Sequence, residues 1–163
     1  LQLMGADITF SNKRLCGEEL VADLCVTHAP LEGIDIPTSL VPLAIDEFPA
    51  ILIAAACATG QTLLHGAKEL RLKESDRIAA MVDGLQQLGI EAQALDDGVF
   101  LKGGVVKGGV VESRKDHRIA MAFAIAGAVS DSPVIVKDCG NVATSFPEFL
   151  KTAQQVNLAI CKQ

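Results

Sequence analysis

The feature that most constrains this chain is an ungapped internal repeat. Shifted by 70 residues, the sequence overlays on itself: Asp46 falls on Asp116, and "DEFPAILIAAACAT" lies on "DHRIAMAFAIAGAV", with alanines coinciding at 50/120, 54/124, 56/126 and 58/128. Further on, "ESDRIAAMVDGLQQL" lies on "TSFPEFLKTAQQVNL", with Ser75 on Ser145 and Leu88 on Leu158. A third echo joins "LQLMGADI" at the start to "LQQLGIEA" at 85–92. Each pair is weak alone. Together they imply one supersecondary unit used more than once.

The unit reads coarsely as follows. Asp46 is an N-cap type residue opening a helix through the alanine-rich stretch. "QTLLHGA" follows as a strand, and a second helix runs from near Glu74 to Gly89. Asp97-Gly98 marks a turn between the strands "IEAQALDD" and "GVFLKGG", and "GGVVESR" reads as a further strand. The second copy gives a helix over 116–129, the strand "PVIVKD" and a helix over 145–158. "LQLMGADITF" reads as the last turn of a helix, closed by Gly5 before a strand; such an opening is expected of a piece cut from a longer protein. Strands alternating with helices predict an α/β fold. Gly103-Gly104 and Gly108-Gly109 read as turns, because neither fits the GxGxxG or GxxxxGK[ST] pattern of a phosphate loop.

Bulk composition narrows the function. A chain of 163 residues can build one domain with a sizeable core. Half of it is apolar, yet it has no uncharged apolar run of the roughly 18 residues a membrane helix needs. A net charge of -6 with a pI near 5.0 argues against a general nucleic-acid binder. The five cysteines, Cys16, Cys25, Cys57, Cys139 and Cys161, are odd in number and lack zinc spacing. That pattern predicts no metal and a reducing cytoplasm. Cys57, inside the alanine-rich helix, reads as a small core residue.

Charge is concentrated at the helix starts. "LRLKESDR" places five charged side chains between Arg71 and Arg77. Asp46-Glu47 and Lys115-Asp116-His117-Arg118 form two similar groups. Helix N-termini carry free N–H groups and about half a positive charge, so several aimed at one place would make an anion site. Arginine grips carboxylate or phosphate in a bidentate fork, and a carboxylate can move protons. The plainer reading is that the acidic residues are ordinary caps, "KESDR" a solvated face and His117 structural. Arginines in a first helical turn oppose the macrodipole, however, which calls for an explanation such as a bound anion.

"IDEFPA", "KESDRI" and "DHRIAMAFAIAG", in this order and spacing across essentially the whole chain, resemble the 5-enolpyruvylshikimate-3-phosphate synthase family. The resemblance implies an enzyme, 3-phosphoshikimate 1-carboxyvinyltransferase. It would transfer the enolpyruvyl group of phosphoenolpyruvate to the 5-hydroxyl of shikimate 3-phosphate and release phosphate, on the way to chorismate and the aromatic amino acids, without a cofactor. The implied fold is two similar domains of repeated βαβαββ units, an inside-out α/β barrel with helix starts facing an interdomain cleft. Residues 1–163 would then be part of the C-terminal domain: a truncated unit 1–45, a unit 46–115 and a final partial unit 116–163. The other domain of the same chain would be its partner, and this piece alone is expected to be inactive.

The resemblance also assigns roles. Asp46 corresponds to the aspartate that takes the 5-hydroxyl proton, and Glu74 to the glutamate that moves a proton to and from the methylene carbon. Lys73 corresponds to a contact with the shikimate phosphate. Arg77 and Arg118 correspond to the clamp on phosphoenolpyruvate and on the inhibitor glyphosate, and His117 to a neighbour that orients the glutamate. One departure stands out: where many members carry a lysine before a "TFP"-like segment, this chain has Thr144 in "NVATSFPEF". Asn141 nearby reads as a turn residue. The cell-wall UDP-N-acetylglucosamine enolpyruvyl transferases share the implied fold but not "KESDR". A non-catalytic anion-binding module and a purely structural domain are the readings from other classes.

Overall fold

The computed structural model describes residues 1–162. Its centre is made of three helices whose small apolar residues let them pack closely. They are α1 (Phe48–Ala56), α2 (Arg77–Gln87) and α3 (His117–Ala126). α1 is buried nearly all round, through Phe48, Pro49, Leu52, Ile53, Ala55 and Ala56, as expected of a helix that is apolar on every face. At the α2–α3 contact the residue is glycine for a steric reason. A Cβ on Gly84 would stand 2.2 Å from Phe123 Cζ and 2.8 Å from Val111 Cγ1.

The strands lie around these helices. β3 (Gln61–Leu64), β4 (Glu91–Leu95) and β5 (Gly98–Lys102) form an antiparallel sheet in the order β3-β5-β4. Period-2 alternation turns Thr62, Leu64, Ala92, Val99 and Leu101 into the core, and the register sets Thr62, Leu101 and Ala92 side by side. β6 (Gly109–Glu112) and β7 (Val134–Lys137) pair in parallel with α3 as their crossover, the connection a parallel pair requires. After β7 come two short helices, α4 (Val142–Ser145) and α5 (Phe149–Gln155). The chain opens with a 3₁₀ turn, Gln2–Met4, closed by Gly5 at φ 94°. It continues into the hairpin β1 (Asp7–Cys16) and β2 (Glu19–Thr27), bulged between Ser11 and Arg14.

Several expected boundaries move, each for a physical reason. α2 starts at Arg77 instead of Glu74, because the Asp76 carboxylate caps it by accepting the Ala79 N–H. Asp46 caps no helix: it sits in the 3₁₀ turn Ile45–Glu47 before α1, and its carboxylate faces side chains instead. The helix expected over 145–158 is broken, since Pro147 cannot continue it and Phe146 before it is held out of helical conformation at φ -139°, ψ 79°. The β4–β5 loop is Asp96-Asp97, and Gly98 already belongs to the strand, paired with Leu95. It must be glycine there, because a Cβ would stand 1.7 Å from the Leu64 carbonyl oxygen. Cys57 is not a core residue. It is exposed at the C-terminal end of α1 while Ala55, Ala56 and Ala58 beside it are buried.

Candidate active site

The ends of the three central helices bring the charged groups together around one side chain. Arg77, the first residue of α2, is 1 % exposed. A guanidinium so buried must have its donors satisfied and its charge balanced. Its Nε donates to Asp116 Oδ2 at 2.8 Å, its Nη1 to Asp46 Oδ1 at 3.0 Å and its Nη2 to Glu74 Oε2 at 2.5 Å. Carboxylates 31 and 39 residues away in sequence thus meet on one arginine with a third from its own approach segment.

Asp116 is 0 % exposed and works at both of its oxygens. Oδ1 accepts the N–H of Arg118 at 2.9 Å and of Ile119 at 3.5 Å, capping α3. Oδ2 accepts Arg77 Nε and the Ser75 hydroxyl, the latter at 3.0 Å. The backbone delivering it is unusual: Arg114 and Lys115 both have positive φ, 55° and 60°, a conformation disfavoured for residues with a Cβ. Ser113 Oγ donates to the Asp138 carbonyl at 3.0 Å and Asn141 Nδ2 to the Lys115 carbonyl at 2.5 Å. Both bonds hold that turn. Asn141 therefore does more than form a turn. Thr144 donates its hydroxyl to the Asn141 carbonyl at 2.8 Å.

The remaining cations close the ring. Lys73 Nζ lies 3.3 Å from Asp46 Oδ1 and 2.5 Å from Glu69 Oε1. Arg118 Nη1 donates to the Asp46 carbonyl at 2.9 Å and to Glu47 Oε1 at 3.1 Å, bridging the starts of α3 and α1. Arg71 and Asp76 play a supporting part. Arg71 Nη1 donates to Asp76 Oδ2 at 2.6 Å, and its other nitrogens donate to the carbonyls of Leu95 and Asp96, tying "LRLKESDR" to the β4–β5 loop. His117 opens α3 and is half-buried. Among the described residues no hydrogen bond joins it to Glu74, whose partner is Arg77.

These neighbours set the ionisation. Burial pushes the Asp116 carboxyl up, but the hydrogen bond and charge of Arg77, with the α3 N–H and Ser75, outweigh it and hold the group below its usual range. Burial also pushes Asp46 up, and there Lys73 foremost, with Arg118 and Arg77, holds the group low. The Glu69 hydrogen bond, with Asp46 behind it, raises Lys73 and keeps it charged. Among the described residues no three His, Cys, Asp or Glu side chains gather as a metal would need. The site is therefore a network of ion pairs. Beside it α1 and α3 leave a groove of about 160 Å³, with Asp46, Glu47 and Arg118 at its polar end and Pro49, Met121 and Ile125 along its apolar walls.

Of the residues singled out in the sequence, Asp46, Lys73, Glu74, Arg77 and Arg118 form one connected cluster, and His117 lies at its edge. Asp116 stood in the charged group at the start of the third helix, but sequence reasoning gave it no role of its own, although the repeat had already placed it on Asp46.

Comparison with known proteins gives this arrangement its context. Residues 1–153 match the model of the family described as EPSP synthase (3-phosphoshikimate 1-carboxyvinyltransferase). Over 157 residues, 96% of the chain, the sequence is 65% identical to a 3-phosphoshikimate 1-carboxyvinyltransferase of Legionella pneumophila, covering 36% of that protein. Over 160 residues it is 56% identical to the same enzyme of Coxiella burnetii, again covering 36% of it. An EPSP synthase structure from Acinetobacter baumannii superposes with a TM-score of 0.94 at 47% identity, over 97% of this chain and 38% of that one. The chain thus spans little more than a third of the length of these relatives, as part of a domain with their mixed α/β fold. It belongs to the EPSP synthase family.

Proposed function

We propose that this chain supplies one wall of the active site of a 3-phosphoshikimate 1-carboxyvinyltransferase, which moves the enolpyruvyl group of phosphoenolpyruvate to the 5-hydroxyl of shikimate 3-phosphate. The observation that carries the reading is the convergence of Asp46, Glu74 and Asp116 on buried Arg77, flanked by Lys73 and Arg118, in a member of this family. In the reaction the hydroxyl oxygen adds to C2 of phosphoenolpyruvate while C3 gains a proton. C3 then gives a proton back as the C–O bond to phosphate breaks. Asp46 takes the hydroxyl proton, and Glu74 gives and recovers the proton at C3. Lys73 meets the shikimate phosphate, Arg77 and Arg118 hold phosphoenolpyruvate or glyphosate in its place, and His117 acts on Glu74.

The electrostatics support such roles and add a step. Lys73, Arg118 and Arg77 depress the Asp46 carboxyl, so it is ionised and ready to accept a proton, but weakly basic. Anionic substrates that draw Lys73 and Arg118 toward themselves would remove those charges from Asp46 and raise its basicity, coupling substrate binding to proton transfer.

The architecture belongs to the same proposal: repeated βαβαββ units, with 1–45 a truncated unit, 46–115 a full one and 116–163 a partial one, in one domain of a two-domain inside-out barrel. Its support is the order α1, β3, 3₁₀ turn, α2, which returns roughly 70 residues later as α3, β7, 3₁₀ turn, and then the two short helices α4 and α5 in place of one. The missing N-terminal domain of the same polypeptide would complete the cleft and exclude water on closure. No helix among the described residues is long and apolar enough to cross a membrane, and five free cysteines suit the reducing cytoplasm we propose for it.

The test is phosphate release by the intact protein given phosphoenolpyruvate with shikimate 3-phosphate or with UDP-N-acetylglucosamine, with and without Glu74→Ala. Turnover with the shikimate acceptor alone, lost in the variant, is the expected result. No turnover with either acceptor would leave an anion-binding module as the better account.

A further inference from the structure

We propose that Asp116 is a positioning residue for the reaction described above, an inference that rests on that reading. Its carboxylate is a rigid bracket between two parts of the site. An ordinary helix cap needs one acceptor oxygen, and Oδ1 fills that need alone by taking the N–H of Arg118 and Ile119. Oδ2 is then free to serve another segment, where it takes Arg77 Nε at 2.8 Å and the Ser75 hydroxyl at 3.0 Å.

The consequence lies in the orientation of the Arg77 guanidinium. Asp116 approaches it from the Nε side, with Nη2 also 3.5 Å from Oδ1. A planar guanidinium held at that edge has its plane fixed. Nη1 and Nη2 are then directed at Asp46 and Glu74, the two carboxylates assigned to proton transfer. The same carboxylate fixes the first turn of α3, which carries His117 and Arg118. Asp116 thus sets the spacing between both proposed arginine clamps without any exposed surface of its own. The left-handed pair Arg114-Lys115, pinned by Asn141 and Ser113, is how the chain brings a carboxylate to this point. Backbone strain next to a functional group is commonly part of such preorganisation.

The test uses the intact protein and separates the two substrates. Asp116→Asn keeps an oxygen to cap α3 but removes the charge that orients Arg77. Its kcat/KM for phosphoenolpyruvate is expected to fall by about 100-fold, the cost of a misplaced positioning group, while KM for shikimate 3-phosphate barely moves. Asp116→Glu, which restores the charge at a different reach, should recover part of the loss. Ser75→Ala removes one donor to Oδ2 without touching the cap and should show the same selective loss at smaller size; it decides the matter if Asp116→Asn does not fold. Wild-type kinetics in the variant that decides, or an equal loss for both substrates, overturns the inference. Absence of turnover in the unmodified protein overturns the underlying reading first, and the inference with it.

Discussion

At the scale of single residues the site is governed by one buried cation. Arg77 touches three carboxylates and has almost no solvent, so removing it leaves Asp116 charged, buried and deprived of its main partner. Arg77→Met is expected to destabilise the protein by about 3–5 kcal/mol, the cost of breaking a buried ion pair from one side; urea unfolding measures it, and a loss below 1 kcal/mol would mean that water replaces the guanidinium. Acid titration gives a second prediction. The folded-state carboxyls of Asp116 and Asp46 are held below the usual value. Their contribution to stability is therefore complete above the ordinary carboxylate range, about pH 4. It is lost as pH falls through the depressed folded values. Asp116→Asn should flatten the decline below pH 4, and a decline as steep as in the unmodified protein would exclude Asp116 as a source. The sequence made most of the cluster's membership legible, because charged residues at helix starts in an apolar chain need a reason, but it gave no part to Asp116 or Glu69. It could not show that Arg77 is buried, since the partners that make burial tolerable lie 31 and 39 residues away.

At the scale of elements, close packing of small residues decides where the helices sit. Gly84 is the sharpest case. Alanine is the better helix former by about 1 kcal/mol, so propensity alone predicts that Gly84→Ala stabilises α2. The Cβ would instead meet Phe123 Cζ at 2.2 Å and Val111 Cγ1 at 2.8 Å, and Phe123 is fully buried. Overpacking of this kind costs about 1–3 kcal/mol. The expected net effect is a lower melting temperature, recovered at least in part by combining Gly84→Ala with Phe123→Leu. A melting temperature raised by Gly84→Ala would show that α2 and α3 can separate. Element type was readable from period and turn residues; element ends were not. Asp76 and Pro147 each move a helix boundary by a few residues and Gly98 shifts a turn by one, and in each case the cause is a specific contact or a forbidden conformation. The outward turn of Cys57 has the same character: an alanine-rich segment says that a helix is buried, not which position faces out.

At the scale of the whole molecule, charge and exposed surface both bear on whether this chain works alone. The cluster holds three cations, Lys73, Arg77 and Arg118, against five carboxylates, Asp46, Glu47, Glu69, Glu74 and Asp116, in a chain of net charge -6. Phosphoenolpyruvate and shikimate 3-phosphate are both multiply anionic. Every cation here is already paired, so each that turns to a substrate leaves a carboxylate behind, and the local balance stays negative. On the proposed function, cations from outside residues 1–163 would be needed to reverse it. The hairpin points the same way: Phe10, Leu15, Leu20, Leu24 and Val26 share one face of β1–β2, where Leu15 is 71% and Leu20 70% exposed, a surface a free-standing domain rarely leaves open. The 163-residue chain by itself is therefore expected to release no phosphate from phosphoenolpyruvate and shikimate 3-phosphate under conditions in which the intact protein turns over. It should also bind phosphoenolpyruvate more weakly than about 1 mM by calorimetry, the level at which binding contributes only some 4 kcal/mol. Binding in the micromolar range by the isolated chain would mean that its own three cations suffice, and the requirement for an outside source of positive charge would fall.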